Sequence, residues 1–213
     1  MAVEVKICGL TRAEDAGAAA TAGASYLGVV FVGGPRMVDP SRAAAIVAAA
    51  GRSPVLGVFG AQPVDAILRI RDACGLTGAQ LHGEYTADDA RSLHQEGLLV
   101  WRVVRVRGSD DLARLAVAAE AADAVLIEPR VDHAAGGAGV SLPLALALEA
   151  RRRVRGRLVL AGGLRPETVA AAAGLVRPDV VDVSSGVEVL PGIKDSRKIE
   201  QFVEAVRGLS PVA

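Results

Sequence analysis

The feature of this sequence that most constrains its fold is an eightfold alternation of short β-branched segments with alanine-rich amphipathic stretches. Each pair is typical of one strand followed by one helix, and such units in series predict an α/β fold with a parallel sheet. Eight units favour a closed (β/α)8 TIM barrel over an open doubly wound sheet. The predicted strands lie near Val3–Cys8, Tyr26–Val32, Val55–Phe59, Gly78–His82, Leu98–Val104, Ala124–Glu128, Leu158–Ala161 and Val180–Val183.

Turn residues at the ends of the amphipathic stretches support this division. Asp39-Pro40 supplies a capping side chain and a proline for the first helical position, and Thr11 with Glu14 predicts a capping box for the first helix. Because no linker rich in Pro, Ser and Gly divides the chain, we expect residues 1–213 to form a single barrel domain. Glycine favours the left-handed conformation in which many helices end. Predicted helix ends coincide with Gly23, Gly51, Gly75, Gly97, Gly156 and Gly174.

The composition excludes several classes of protein. The 213-residue chain is 51% hydrophobic, and 24 Lys and Arg residues balance 24 Asp and Glu residues. Indiscriminate nucleic-acid binders are usually strongly basic and disordered chains are poor in apolar residues, so neither class fits. The sequence has no apolar run of the ~20 residues that span a bilayer, no leader pattern and only two cysteines. We expect a cytoplasmic protein that binds neither nucleic acid nor membrane.

The predicted strand ends are more polar and richer in glycine than the strands themselves. In a (β/α)8 barrel the chemistry takes place at the carboxyl ends of the strands. We therefore expect these residues to converge on one mouth of the barrel. In chain order they are Cys8-Gly9, Gly33-Gly34-Pro35-Arg36, His82-Gly83, Arg105, Glu128, Gly162-Gly163 and Ser184-Ser185-Gly186.

The loops after the seventh and eighth strands predict a phosphate site. Barrels frequently bind phosphate between these two loops, next to the N-terminus of a short extra helix. Gly162 and Gly163 allow backbone N–H groups to approach an anion closely, and Ser184, Ser185 and Gly186 add donors and begin the short helix. The alternative is that both loops are ordinary tight turns.

The end of the first strand carries a candidate base. Alternation along the strand places Lys6 and Cys8 on one face, opposite Ile7. A neighbouring lysine lowers the pKa of a thiol and favours the thiolate, which acts as a base or a nucleophile. The alternative is a small buried hydrophobic cysteine. We also expect Lys6 to pair with Asp182, because strands 1 and 8 are neighbours in a closed sheet and an unpaired buried charge is costly.

Three further strand-end residues are candidates for the site. Glu128 follows an apolar strand that would raise its pKa and make it a general acid; the alternative is an ion pair with an arginine. Arg36 suits bidentate binding of a carboxylate, against the alternative of a solvated loop arginine. His82 either contributes to substrate binding and chemistry or packs within the barrel. The three histidines lack the spacing of metal ligands, so no metal is expected.

On a set of short motifs in a fixed order, the chain resembles the phosphoribosylanthranilate isomerase family of tryptophan biosynthesis. The combination of KICG near the N-terminus with DVSSGVE near the C-terminus is highly specific, whereas GGAG alone is not. The matching segments are VKICGLT (Val5–Thr11), GPR (Gly34–Arg36), VFG (Val58–Gly60), QLHGE (Gln80–Glu84), GGAG (Gly136–Gly139), LAGGLRPETV (Leu160–Val169), VDVSSGVE (Val181–Glu188) and GIKD (Gly192–Asp195).

The resemblance implies a cofactor-free Amadori rearrangement of N-(5-phosphoribosyl)anthranilate to 1-(2-carboxyphenylamino)-1-deoxyribulose 5-phosphate. It assigns the family's general base to Cys8, its general acid to Glu128 and its carboxylate-binding arginine to Arg36. The family's phosphate loops correspond to the glycine and serine loops above, and we expect Gly139 to join them. We further expect a monomer whose partner is the small phosphoribosyl substrate, with His82 among the substrate-binding residues.

The chain departs from the family's pattern at three places. Glu128 replaces the usual aspartate, Gly34 replaces a common serine, and the GGAG loop lacks a hydroxyl and the aromatic residue that usually follows. Asp132 and His133 are rivals to Glu128 as the acid.

Three alternatives to the isomerase stay open. The related histidine-pathway isomerase uses an aspartate at the end of strand 1, and Cys8 argues against it. Indole-glycerol phosphate synthase would need lysine and glutamate at other strand ends. A degenerate barrel would bind phosphoribosyl ligands without turnover.

Overall fold

The computed structural model describes residues 2–131 and 140–209 and contains a closed barrel of eight parallel strands in chain order, which confirms the predicted (β/α)8 architecture. The strands are β1 Glu4–Ile7, β2 Tyr26–Val30, β3 Val55–Phe59, β4 Gly78–Leu81, β5 Leu99–Val106, β6 Ala124–Pro129, β7 Arg157–Leu160 and β8 Val180–Val183. Within the described residues the α-helices are α1 Ala13–Ala22, α2 Pro40–Ala49, α3 Val64–Cys74, α4 Ala87–Gln95, α5 Arg114–Ala119, α6 Leu144–Arg153, α7 Pro166–Val176 and α8 Ser196–Arg207.

Two apolar layers stabilise the barrel, one on each face of the sheet. The larger layer lies between the strands and the surrounding helices, where for example Ile7, Leu27 and Phe59 are fully buried. The smaller layer fills the barrel interior. Because successive residues of a strand point to opposite faces, one strand can contribute to both layers, as β3 does with Phe59 outside and Leu56 inside. The interior layer consists of Leu56, Trp101, Ala124, Leu126, Val159, Ala161 and Val180.

The closure of the barrel joins the first strand to the last. β1 pairs in parallel with both β2 and β8, and the register places Lys6 beside Tyr26 on one side and beside Asp182 on the other. The ammonium group of Lys6 also lies 5.7 Å from the centre of the ring of Trp101, a member of the interior apolar layer. The closure of the barrel therefore places a buried ion pair next to this layer.

The segment after β8 forms a small hairpin that the sequence analysis did not predict. Its strands are β9 Glu188–Leu190 and β10 Ile193–Lys194, which pair antiparallel. The short helix expected after β8 is present as a single 3₁₀ turn, Ser185–Val187. The hairpin matters for the site, because its residues Glu188 and Lys194 are buried beneath the barrel mouth.

Most of the predicted helix ends are correct, and three are not. Gly23 and Gly75 end α1 and α3 in the left-handed conformation. The predicted capping box of Thr11 is wrong: Arg12 precedes α1, and the Thr11 hydroxyl instead donates to the Gly192 carbonyl, 2.5 Å away in the hairpin turn. Gly174 lies inside α7, and Gly156 lies beyond the end of α6 at Val154.

The cap predicted for the second helix is confirmed, since the Asp39 side chain accepts a hydrogen bond from the Arg42 backbone N–H and Pro40 is the first helical residue. No helix in residues 2–131 or 140–209 is long and apolar enough to cross a membrane.

Candidate active site

The predicted strand-end residues do converge at one mouth of the barrel. A cavity there is bordered by Glu128 at the end of β6, by the loop after β7 and by Asp182 with the loop after β8. Gly162, Gly163, Ser184, Ser185 and Gly186 all line it, so the structure brings the two predicted phosphate loops together. Gly139, also predicted for this site, lies outside the described residues, as do Asp132 and His133.

Glycine is required at the two predicted phosphate loops for reasons of backbone shape and space. Gly162 and Gly163 have φ angles of 98° and 67°, in the left-handed region that side chains disfavour. A β-carbon at Gly163 would lie 2.6 Å from the Ser141 Oγ, and one at Gly186 would collide with the Leu164 carbonyl. The loops therefore pack closely against their neighbours and expose backbone toward the cavity.

Lys6, Cys8 and Asp182 form a buried cluster on the β1–β8 side. The predicted ion pair is confirmed: Lys6 Nζ donates to Asp182 Oδ1 over 2.9 Å, and Lys6 is fully buried. Space for the two side chains on β1 comes from Gly28 on β2, because a β-carbon there would lie 2.9 Å from the Cys8 sulfur and 3.2 Å from Lys6 Nζ.

The thiol of Cys8 does not behave as the sequence suggested. Burial raises its pKa above the usual value, and the negative charge of Asp182 adds to the increase. Lys6 and Lys194 lower the pKa, but by less than burial raises it. The hypothesis that Cys8 has a lowered pKa is therefore wrong. Lys6 does lower the pKa, but desolvation of the thiolate outweighs its attraction to the lysine.

Glu128 is the buried carboxyl group on the opposite wall. Its Oε1 lies 3.6 Å from both His82 Nδ1 and Arg105 Nε, and it has no hydrogen-bond partner among the described residues. Burial raises the pKa of Glu128 to about 7, with a further increase from Asp182 and opposing effects from Arg105 and Lys6. The predicted direction of the shift is confirmed, and near pH 7 the protonated and ionised forms of Glu128 are both present.

His82 lies between Glu128 and Gln80. Its Nε2 is 2.9 Å from the Gln80 amide nitrogen, and burial lowers the pKa of His82 to about 3, with Lys6 and Arg105 contributing. The imidazole is therefore neutral. If the amide nitrogen donates to Nε2, the ring proton is on Nδ1, which faces Glu128. A role of His82 in binding substrate stays a prediction.

Arg36 reaches the mouth, but one edge of its guanidinium is already engaged. Its Nε and Nη2 donate to the two oxygens of Glu188 over 2.8 and 2.6 Å. Lys194 Nζ donates to the same carboxylate over 2.9 Å. Glu188 and Lys194 lie in the motifs VDVSSGVE and GIKD, but neither was predicted to belong to the site. Opposite charges flanking a short apolar segment, Val189 to Ile193, are the signal that could have identified them.

The described residues contain no cluster of three or more His, Cys, Asp or Glu side chains that could hold a metal ion. What the mouth offers instead is a buried carboxyl group, a buried thiol and two glycine-containing loops on a parallel eight-stranded barrel. The fold and the site together define an enzyme of the (β/α)8-barrel class.

Comparison with known proteins identifies the family within that class. A family model described as N-(5'phosphoribosyl)anthranilate (PRA) isomerase matches residues 5–205. The N-(5'-phosphoribosyl)anthranilate isomerase of Symbiobacterium thermophilum is 41% identical, with 97% of this chain and 99% of the relative covered. The enzyme of the same name from Pseudomonas fluorescens Pf-5 is 39% identical over 97% of this chain and 96% of its own. The chain belongs to the phosphoribosylanthranilate isomerase family.

Solved structures agree with this assignment. The phosphoribosyl anthranilate isomerase of Thermus thermophilus superposes with a TM-score of 0.86 at 33% identity, covering 98% of this chain and 100% of that one. A phosphoribosyl anthranilate isomerase in complex with reduced 1-(o-carboxyphenylamino)-1-deoxyribulose 5-phosphate superposes with a TM-score of 0.82 at 34% identity, covering 97% of this chain and 100% of that one.

Proposed function

We propose that this chain catalyses the Amadori rearrangement of N-(5'-phosphoribosyl)anthranilate to 1-(2-carboxyphenylamino)-1-deoxyribulose 5-phosphate, a step of tryptophan biosynthesis. The observation that carries the proposal is the presence of a protonatable carboxyl group and a thiol on different walls of one barrel mouth, Glu128 at the end of β6 and Cys8 directly after β1. The strands that carry them are separated by β7 and β8 on one side and by β2 to β5 on the other. A sugar bound between them would therefore meet the two groups from different sides.

Glu128 acts first, as the general acid. Its raised pKa, about 7, keeps a proton available at neutral pH. Transfer of that proton to the furanose ring oxygen breaks the bond between this oxygen and C1', and the anthranilate nitrogen lone pair forms the iminium ion. Such proton transfer contributes about 10²–10⁴-fold to a rate.

Cys8 acts second, as the general base. Its thiolate removes the proton from C2', and the C–H electron pair forms the enamine while the iminium nitrogen becomes neutral. The enamine tautomerises to the ketone. Lys6 and Lys194 are the cations that lower the Cys8 pKa against the larger effect of burial, so they stabilise the thiolate that this step needs. The overall change is redox-neutral, so the reaction requires no cofactor.

The remaining predicted residues would hold the substrate. The backbone of Gly162, Gly163, Ser184, Ser185 and Gly186 borders a cavity suited to the phosphate group, and Gly139 is proposed to complete it. Arg36 keeps the edge formed by Nη1 and Nη2 for the anthranilate carboxylate, since Glu188 engages its other edge. His82, neutral and next to Glu128, would face the substrate ribose.

We propose that the protein works in the cytoplasm as a monomer. The proposed location is supported by the two cysteines, Cys8 and Cys74, which are both free thiols, as is usual in a reducing compartment. Light scattering during size-exclusion chromatography would measure the oligomeric state.

Loss of phosphoribosylanthranilate fluorescence during turnover tests the activity. The wild-type protein is expected to consume the substrate, and Glu128→Gln to lose about 10²–10⁴-fold in kcat. Glu149→Gln, an exchange on α6 where Glu149 pairs with Arg153, is the matched control and should keep wild-type turnover.

Binding of the substrate by the wild-type protein without any turnover would replace this proposal with the degenerate, binding-only barrel. Glu128→Asp sharpens the test of the departure from the family. If the backbone has adapted to glutamate, the shorter acid lowers kcat, because a misplacement of ~1 Å can cost about 10²-fold. Intact turnover in Glu128→Gln would show that the acid is another residue.

A further inference from the structure

Among the described residues near the mouth, the Glu188 carboxylate accepts the most hydrogen bonds, and it has no role in the proposed reaction. Its Oε1 accepts from Arg36 Nε at 2.8 Å, from Lys194 Nζ at 2.9 Å and from the Gly192 backbone N–H at 3.1 Å. Its Oε2 accepts from Arg36 Nη2 at 2.6 Å. One carboxylate thus faces two cations, the buried Lys194 and the partly buried Arg36, and the group as a whole keeps a net charge of +1.

The stem of Arg36 is as constrained as its head. It crosses the turn at Gly9, where a β-carbon would lie 2.6 Å from Arg36 Cδ and 2.7 Å from the Ser184 Oγ. The contact of the stem with Gly9 and the two hydrogen bonds from the Nε–Nη2 edge to Glu188 restrict the orientation of the guanidinium plane. Its Nη1–Nη2 edge is the only paired-donor edge left for a ligand.

Lys194 connects this arginine to the phosphate loop. Besides Glu188, its ammonium group donates to the Ser184 carbonyl over 3.1 Å. Its backbone N–H donates to Asp15 Oδ2 over 3.1 Å, which anchors β10 to α1. Lys194 is almost fully buried, so these contacts are shielded from water and are worth more than the same contacts on a surface.

We propose that Glu188 is a positioning residue that presents the Nη1–Nη2 edge of Arg36 to a carboxylate of the substrate, and that Lys194 fixes the distance between this anchor and the phosphate loop at Ser184. This inference rests on the proposed function of the mouth. It makes Glu188 a determinant of selectivity for ligands that carry both a carboxylate and a phosphate, because an arginine without this partner is free to rotate away from the carboxylate position.

The test measures binding directly, so that its outcome does not depend on turnover. Two probes are titrated by calorimetry: reduced 1-(o-carboxyphenylamino)-1-deoxyribulose 5-phosphate, which carries both anionic groups, and ribose 5-phosphate, which carries only the phosphate. Glu188→Gln is expected to weaken the first probe about 10- to 100-fold and the second less than about 3-fold. Glu200→Gln, an exposed exchange on α8, is the matched control and should leave both affinities unchanged.

A double-mutant cycle separates positioning from a general structural role. In an Arg36→Ala background, Glu188→Gln should have no further effect on the carboxylate probe, because no guanidinium is left to orient. An equal loss for both probes, or a full Glu188→Gln effect in the Arg36→Ala background, would overturn the proposal.

Arg36→Lys provides a second route if Glu188→Gln does not fold, since it keeps the charge but has no second edge to offer. Arg36→Lys should weaken the carboxylate probe relative to ribose 5-phosphate by a factor similar to that of Glu188→Gln. An unchanged ratio of the two affinities would refute the role of the Nη1–Nη2 edge. Wild-type binding of both probes without turnover of phosphoribosylanthranilate would refute the proposed reaction but not this inference. For the active enzyme, Glu188→Gln should raise KM about 10- to 100-fold and change kcat less than about 3-fold.

Discussion

On the β1–β8 side of the barrel mouth, Lys6 and Asp182 form an ion pair of 2.9 Å, whereas on the β4–β6 side Glu128 lies 3.6 Å from both His82 Nδ1 and Arg105 Nε. On the β1–β8 side, the buried ammonium group of Lys6 has a carboxylate partner at hydrogen-bonding distance. The β4–β6 side holds its carboxyl group among neighbours that are too far away for a hydrogen bond. The same barrel therefore contains two kinds of environment for an acidic side chain.

The two glutamates of the mouth show what this difference does. Glu188 is buried, which alone would raise its pKa, but the hydrogen bonds and charges of Arg36 and Lys194 lower the pKa to about 2. Burial dominates at Glu128 and raises its pKa to about 7. Close cationic partners thus favour the ionised form of Glu188, as its proposed positioning role requires, and their greater distance from Glu128 favours the protonated form that the proposed acid requires.

These shifts have opposite consequences for stability. Glu128 binds its proton more tightly in the folded state than in the unfolded state. Its contribution to the free energy of unfolding therefore falls as the pH rises from about 4.5 to about 7. Glu188 binds its proton less tightly in the folded state, so its contribution is complete above about 4.5 and is lost as the pH falls toward about 2.

The largest expected effect is on catalysis by Cys8, which lies on the β1–β8 side of the mouth with the Lys6–Asp182 pair. Cys8→Ser should lower kcat about 10³-fold, within the range of general base catalysis, because a hydroxyl is a far weaker acid than a thiol and supplies almost no anion. Cys74→Ser is the matched control, since Cys74 lies at the end of α3 and its sulfur contacts the Pro40 carbonyl. Steady-state fluorescence kinetics measure both variants, and a Cys8→Ser variant with wild-type kcat would remove Cys8 as the base.

A smaller effect, on stability, follows from breaking the buried pair. Lys6→Met should lower the free energy of unfolding by about 3–5 kcal/mol, because it leaves Asp182 buried without its cation. Adding Asp182→Asn should restore part of this loss. On the other side of the mouth, Glu128→Gln should change stability by less than about 1 kcal/mol at pH 6, where Glu128 is already neutral. Urea denaturation measures all three, and similar losses for Lys6→Met and Glu128→Gln would remove the contrast between the two sides.

The sequence predicted the barrel well because the relevant signals are local. Each buried strand is a short apolar run with a turn at its end, and β3 and β8 have the predicted bounds. The Lys6–Asp182 pair could also be predicted, since strand alternation and the closure of the barrel are enough to bring the two residues together.

Properties that depend on tertiary contacts could not be predicted. The hairpin β9–β10 exposes Val189 and Leu190 and is held by distant partners such as Thr11, so it has little local signal. The Cys8 pKa depends on the competition between burial and Lys6, and residue spacing does not reveal how complete the burial is. Likewise, nothing in the sequence shows that Arg36 is engaged by a residue 152 positions away.

The central claim is that burial raises the pKa of Glu128 to about 7, so that the protonated acid is present at neutral pH, because its cationic neighbours are too distant to oppose the shift fully. The most direct test is ¹³C NMR of protein labelled at the glutamate carboxyl carbons, titrated with pH and assigned by the signal missing in Glu128→Gln. We predict a midpoint near 7 for Glu128. A midpoint near the 4.5 of an ordinary glutamate would contradict the account, because the acid would then be ionised when the reaction needs its proton.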